Sequence, residues 1–182
     1  MTATLQATPP QVRIELRSNP LYLSGVREMI SAVAKRLGFS DESCGQIALA
    51  VDEALCNVIR HGYNKAPDQP IWLSVWPEGG AWAGSHPPSP LEGSTTEHAE
   101  AIRIVIEDEA RQVDPGVIKS RDLDQVRPGG LGVHIIKSVM DEAVYEKRAK
   151  AGMRLTMVKR RSGAPAAAPA GCCSRNACAE TL

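Results

Sequence analysis

Residues 51–63, VDEALCNVIRHGY, set Glu53, Asn57, Arg60 and His61 beside an apolar stripe. Glu53 and Asn57 are one helical turn apart, so their side chains share a face. With Ile47, Val51, Leu55, Val58 and Ile59 turned toward a sheet, Glu53, Asn57 and Arg60 fall on another side. On an arbitrary helix that side is a solvated face. Asparagine is nevertheless a poor interior helix residue, because its amide competes for backbone groups, and here it is flanked by acid and base. The same residues also suit a site: an amide oxygen can ligate Mg²⁺, an arginine can meet phosphate, and a carboxylate can hold water or act as a base.

Working outward, Ser40 is placed to cap this second helix, with Asp41 and Glu42 in its first turn, and Gly62 stops it after about His61. A first helix precedes it, opened by Asn19 and Pro20, striped by Leu23, Val26, Ile30, Val33 and Leu37, and stopped at Gly38. Strands are expected where apolar residues alternate: QVRIELRS before the helices, IWLSVW and AIRIVIE after them, and VYEKR and MRLTMVKR at the end. VHIIKSVM has the period of a third long helix, and a short one is expected around 115–120. Residues 77–100, rich in Gly, Pro and Ser, read as a long loop insertion, and the polar, turn-rich segment up to residue 130 as a lid. Strands in pairs, separated by helices, predict an α+β fold: a two-layer α/β sandwich whose mixed sheet carries its helices on one face. One domain, 1–161, is followed by a low-complexity tail, 162–182, expected to be disordered.

Composition narrows the function classes. The 182-residue chain balances 21 basic against 21 acidic residues, so nothing argues for broad capture of nucleic acid or anionic membrane. No secretory signal or transmembrane-length run is visible, and a cytoplasmic protein is expected. The five cysteines fall partly in helical sequence and partly in the tail, which predicts reduced thiols rather than a disulfide framework. The tail cluster, Cys172, Cys173 and Cys178, lacks the second ligand pair of a zinc site. His61 and His134 are expected to be helix-end and surface residues, having no identified acid or metal partner.

Two further stretches carry chemistry. In RPGGLGVHIIKSVM, Gly129, Gly130 and Gly132 precede or open a helix, where bare backbone amides and the helix dipole favour phosphate. A flexible turn before a helix explains the same glycines. The segment is neither a Walker A loop nor a dinucleotide fingerprint. In IEDEARQVDP, Asp108 ends a strand and can accept a hydrogen bond from the exocyclic amino group of adenine.

Taken in order, the three pieces resemble the GHKL (Bergerat-fold) ATPases, with their HATPase-like ATP-binding domain, and within them the anti-sigma-factor serine/threonine kinases. The resemblance spans about residues 10–161, with VDEALCNVIRHGY similar to the N box and RPGGLGVHIIKSVMDEAVY to the glycine-rich lid and its helix. It implies ATP and Mg²⁺ as cofactors. Glu53 would orient or deprotonate the nucleophile, Asn57 would ligate Mg²⁺, Arg60 would lie on the phosphate side, and Asp108 would read adenine. Gly129, Gly130 and Gly132 would border the triphosphate, and Thr156 resembles the polar residue that closes the adenine pocket. The implied partners are a STAS-domain anti-anti-sigma protein as phosphorylation substrate, a sigma factor, and a second copy in a homodimer. Family members often carry Asp-x-Gly-x-Gly after the adenine-reading strand, whereas Ala110 and Gln112 stand at the glycine positions here. That departure leaves an alternative, a nucleotide-sensing partner-switch module without kinase activity.

Overall fold

The computed structural model of the chain describes residues 9–79, 98–118 and 131–163. In chain order these form β1 (Val12–Arg17), α1 (Leu23–Arg36), α2 (Asp41–Asn57), β2 (Pro70–Glu78), β3 (Ala101–Asp108), α3 (Leu131–Val139), β4 (Glu142–Lys147) and β5 (Met153–Arg160). The strands make one five-stranded sheet in the order β1-β2-β3-β5-β4. Its register aligns one apolar row across the whole sheet: Ile14 opposite Leu73, Leu73 opposite Ile106, Ile106 opposite Leu155 and Leu155 opposite Tyr145. Because side chains alternate along a strand, this row and its neighbours two residues away form a single inner face. That face joins Val26, Ile30, Ile47, Val51, Leu55 and Ile136 of the helices in one core.

The α+β sandwich is as expected, but the sheet is not mixed. Every described strand pair is antiparallel. The helix between the third and fourth strands suggests a parallel crossover; β3 and β4 do run in the same direction, yet β5 is inserted between them and pairs antiparallel with both. The insertion matters for the site, because it puts β5 beside the end of β3.

Local signals set the helix ends. Asn19 Oδ1 accepts from the Leu21 N–H at 3.0 Å, opening a 3₁₀ turn, Pro20–Tyr22, that leads into α1. Gly38, at φ +88°, follows its end. Ser40 Oγ caps α2 by accepting from the Ser43 N–H at 3.2 Å. The second helix does not run regularly to His61. Regular α geometry stops at Asn57, and Val58–Gly62 form a π turn in which the Tyr63 N–H reaches the Val58 carbonyl at 2.8 Å. Such widened turns often mark functional sites.

Smaller differences follow the same logic of tertiary pairing. Pro77 and Glu78, expected in the loop insertion, extend β2 by pairing with Ile102 and Ala101. The short helix near 115 is a single 3₁₀ turn, Pro115–Val117. Most of the loop insertion (80–97), the lid with Gly129 and Gly130 (119–130), and nearly all of the tail with its cysteines (164–182) lie outside the described residues. Among the described residues no helix is long and apolar enough to cross a membrane. Cys44 and Cys56 are free thiols, both pushed up in pKa chiefly by burial.

Candidate functional site

The cavity lies over the inner face where β3 ends and β5 begins, beneath α2 and the start of α3. It encloses about 240 Å³, and its lining is mostly apolar: Ala54, Val58, Ile106, Met153 and Leu155 among others. Sites that swallow a whole drug-sized ligand run to about 300–1,000 Å³. This volume suits a planar base with the rest of its molecule leaving through the open side.

At one end stands Asp108, only 4% exposed. Its Oδ1 accepts from the Ala110 N–H at 2.8 Å and from the Met153 N–H at 3.2 Å. Oδ2 takes no hydrogen bond from a described residue, so it is left to accept from a ligand N–H. Burial raises the carboxyl pKa, partly offset by those two N–H donors and by Arg148. The backbone behind it is held as firmly. Arg148 Nη1 donates to the Asp108 carbonyl at 2.5 Å, while its guanidinium lies 5.1 Å from the Trp72 ring and 3.4 Å from Glu107. Gly152, at φ +81°, packs so closely that an added Cβ would come within 1.8 Å of the same carbonyl. Tyr63 completes the frame: its hydroxyl donates to the Pro70 carbonyl at 2.6 Å and accepts from the Glu109 N–H at 2.7 Å.

At the other end, Asn57 lines the cavity with an amide whose Nδ2 is buried and without a hydrogen-bond partner. Glu53 and Asn57, one helical turn apart, both converge on Gly132 of α3. A Cβ on Gly132 would lie 2.7 Å from Glu53 Oε2 and 3.1 Å from Asn57 Nδ2. A side chain at residue 132 would push these two groups aside. An unpartnered buried amide beside a carboxylate is costly unless a ligand pairs with it. Its oxygen is a hard donor of the kind Mg²⁺ accepts. Among the described residues no cluster of three or more His, Cys, Asp and Glu could hold a metal alone. A magnesium ion here would therefore draw its remaining oxygens from phosphate and water, which is its usual habit with nucleotides. These residues fit a Mg²⁺-nucleotide.

Two expected site residues are not brought to this cavity. Arg60 lies on the far side of α2, in a second depression with Ser18, Asn19 and Lys65. The π turn carries it there, while His61, expected only as a helix-end residue, lines the first cavity. Thr156 faces the opposite side of the sheet, paired with Val105 and Val144, because strand alternation turns Met153, Leu155 and Met157 inward instead. From β5 it is Met153, whose N–H donates to Asp108, and Leu155 that line the cavity instead. Ala110 is buried against Gly62, where an added Cβ would be 3.0 Å from the Ala110 methyl. Gln112 turns away to donate to the Arg148 carbonyl at 2.5 Å.

Sequence reasoning passed over Tyr63, Tyr145, Arg148, Gly152 and Met153. Only Gly152, a turn glycine between two strand patterns, carried a local signal. The rest depend on which strands become neighbours.

Comparison with known proteins agrees with this geometry. The family model described as the histidine kinase-like ATPase domain matches residues 16–159. Among curated proteins, the chain is 26% identical over 163 residues to "Serine-protein kinase RsbW" of Staphylococcus epidermidis, covering 85% of this chain and 89% of that one. A protein of the same name from Oceanobacillus iheyensis is 27% identical over 139 residues, covering 72% and 75% of the two chains. Another, from Bacillus velezensis, is 24% identical over 153 residues, covering 84% and 86%. With its family model spanning both ends of the cavity, the chain belongs to the histidine kinase-like ATPase domain family.

Proposed function

We propose that this protein is an ATP-dependent serine/threonine protein kinase and anti-sigma regulatory factor that phosphorylates a STAS-domain anti-anti-sigma protein. In its other state it would hold a sigma factor, with a homodimer as the working unit and the cytoplasm as its compartment. Similarity to proteins named serine-protein kinase over most of the chain supports the reaction class. The observation that carries the reading is the Asn57 amide, buried, unpartnered and converging with Glu53 on Gly132.

Asp108 Oδ2 would accept from the exocyclic amino group of adenine, and Asn57 Oδ1 would hold Mg²⁺ once the amide is turned to present its oxygen. Bound Mg²⁺-ATP supplies the phosphoryl group, with the metal neutralising phosphate charge. Glu53 makes no hydrogen bond or ion pair with another described residue, so its carboxylate is available to orient a serine or threonine hydroxyl and take its proton. Gly129 and Gly130 would border the phosphates alongside Gly132.

The alternative, a nucleotide-sensing module without transfer, rested on Ala110 and Gln112. Gln112 is turned to the Arg148 carbonyl, and Ala110, which lines the cavity, packs against Gly62; that placement supports the kinase reading over the sensing module. Incubation with Mg²⁺-ATP and a candidate STAS protein decides between them. Transfer abolished in Glu53→Gln with ATP affinity kept supports the kinase; ATP binding without transfer in the wild type leaves only the sensing module; no ATP binding ends both.

A further inference from the structure

Three buried side-chain polar atoms among the described residues have no hydrogen-bond partner: Asn57 Nδ2, Tyr145 Oη and His98 Nδ1. Two of them, Asn57 and Tyr145, belong to residues lining one cavity. His98 packs instead against Gly38, where a Cβ would collide with its ring. Asn57 is accounted for by the metal and phosphates; Tyr145 is not. A buried hydroxyl without a partner is unfavourable, and its coincidence with a ligand cavity calls for a ligand partner.

The sheet explains where this hydroxyl stands. Tyr145 of β4 is opposite Leu155 of β5, and Leu155 is opposite Ile106, two residues before Asp108. Since β5 is inserted between β3 and β4, Asp108 and Tyr145 flank the floor made by Met153 and Leu155. The two groups are chemically complementary. An ionised carboxylate only accepts hydrogen bonds, whereas a phenol can donate. Burial pushes the Tyr145 hydroxyl up to about 12, so it remains protonated at neutral pH. A purine base offers both amino donors and ring-nitrogen acceptors.

We infer that the Tyr145 hydroxyl donates a hydrogen bond to a ring nitrogen of the bound purine, making Tyr145 a base-selecting residue that works with Asp108. The inference rests on the nucleotide reading of the cavity. It assigns to β4 the polar contact that Thr156, facing the other side of the sheet, does not provide.

Calorimetric titration of ATP into the full-length wild type and Tyr145→Phe, with thermal melts of both without nucleotide, tests it. The variant is expected to bind ATP about tenfold more weakly, the worth of one net hydrogen bond. Its nucleotide-free melting temperature should equal or exceed the wild type's, because only an unsatisfied oxygen is removed. Failure of the wild type to bind ATP overturns the nucleotide reading and the inference with it. Equal affinities for wild type and variant overturn the inference alone. ATP analogues with N1, N3 or N7 replaced by CH give an independent check. One of them should lose affinity for the wild type and show no such loss in Tyr145→Phe. If none loses affinity for the wild type, or all lose it equally in both proteins, the contact does not exist.

Discussion

At the Asp108 end of the cavity the protein frames the residue: two N–H groups hold one carboxylate oxygen, Arg148 holds the carbonyl, and Gly152 packs beneath, while Oδ2 takes no hydrogen bond from a described residue. At the Asn57 end there is no such frame among the described residues: the amide nitrogen is buried without a partner, and the Glu53 carboxylate beside it is unpaired. The first arrangement is built for recognition, which needs a receptor of fixed shape that loses little entropy on binding. The second leaves donor and acceptor capacity open, as the proposed chemistry with metal, phosphates and an incoming hydroxyl would require.

The contrast can be broken most severely at Gly152. Gly152→Ala would force a Cβ into the Asp108 carbonyl at a left-handed φ, and a loss of roughly 3 kcal/mol or more is expected in urea unfolding. Next comes Asp108→Asn, which keeps an oxygen for the Ala110 and Met153 N–H groups but sets an NH₂ donor where Oδ2 would accept from the ligand. ATP affinity should fall by about a hundredfold, as expected when a charged partner is lost. The same variant should be more stable than the wild type at neutral pH. The sign follows from burial: a raised folded pKa means the folded protein binds the proton more tightly, so wild-type stability drops as pH rises from the unfolded value through the folded one. The advantage of Asp108→Asn should therefore shrink as pH is lowered through that window, a comparison made by melting curves across pH.

At the other end, Gly132→Ala sets a methyl against Glu53 and Asn57. Their side chains can shift, so the fold should survive with little change in melting temperature. Phosphoryl transfer should fall by about tenfold or more, since small misplacements of a reacting group are costly. The smallest effect is expected at the floor between the regions. Gly62→Ala should cost about 1 kcal/mol through its contact with Ala110, and Ala110→Gly in the same chain should restore it. A double-mutant cycle without coupling would mean that Gly62 does not accommodate Ala110.

Much of the fold was legible because its signals are local. Apolar alternation along each strand and the caps at Asn19 and Ser40 predict elements that the structure contains. The glutamate–asparagine pair was legible for the same reason, since one helical turn places them together whatever surrounds the helix. Arg60 lines a second depression instead of the cavity, in the π turn that follows Asn57, which helical spacing alone does not show. Thr156 failed on a matter of parity: a strand's two faces are fixed by alternation, but which face meets the helices depends on register with β3 and β4.

By itself the sequence determined the elements, the apolar period that makes a one-faced sheet, and the pairing of Glu53 with Asn57, all of which follow from interactions within a few residues. The tertiary structure alone decided that β5 enters between β3 and β4, that Met153 rather than Thr156 meets Asp108, and that Tyr145 and Asn57 face one cavity. Those outcomes arise from pairings between residues far apart in the chain, settled only when the inner face of the whole sheet is buried at once.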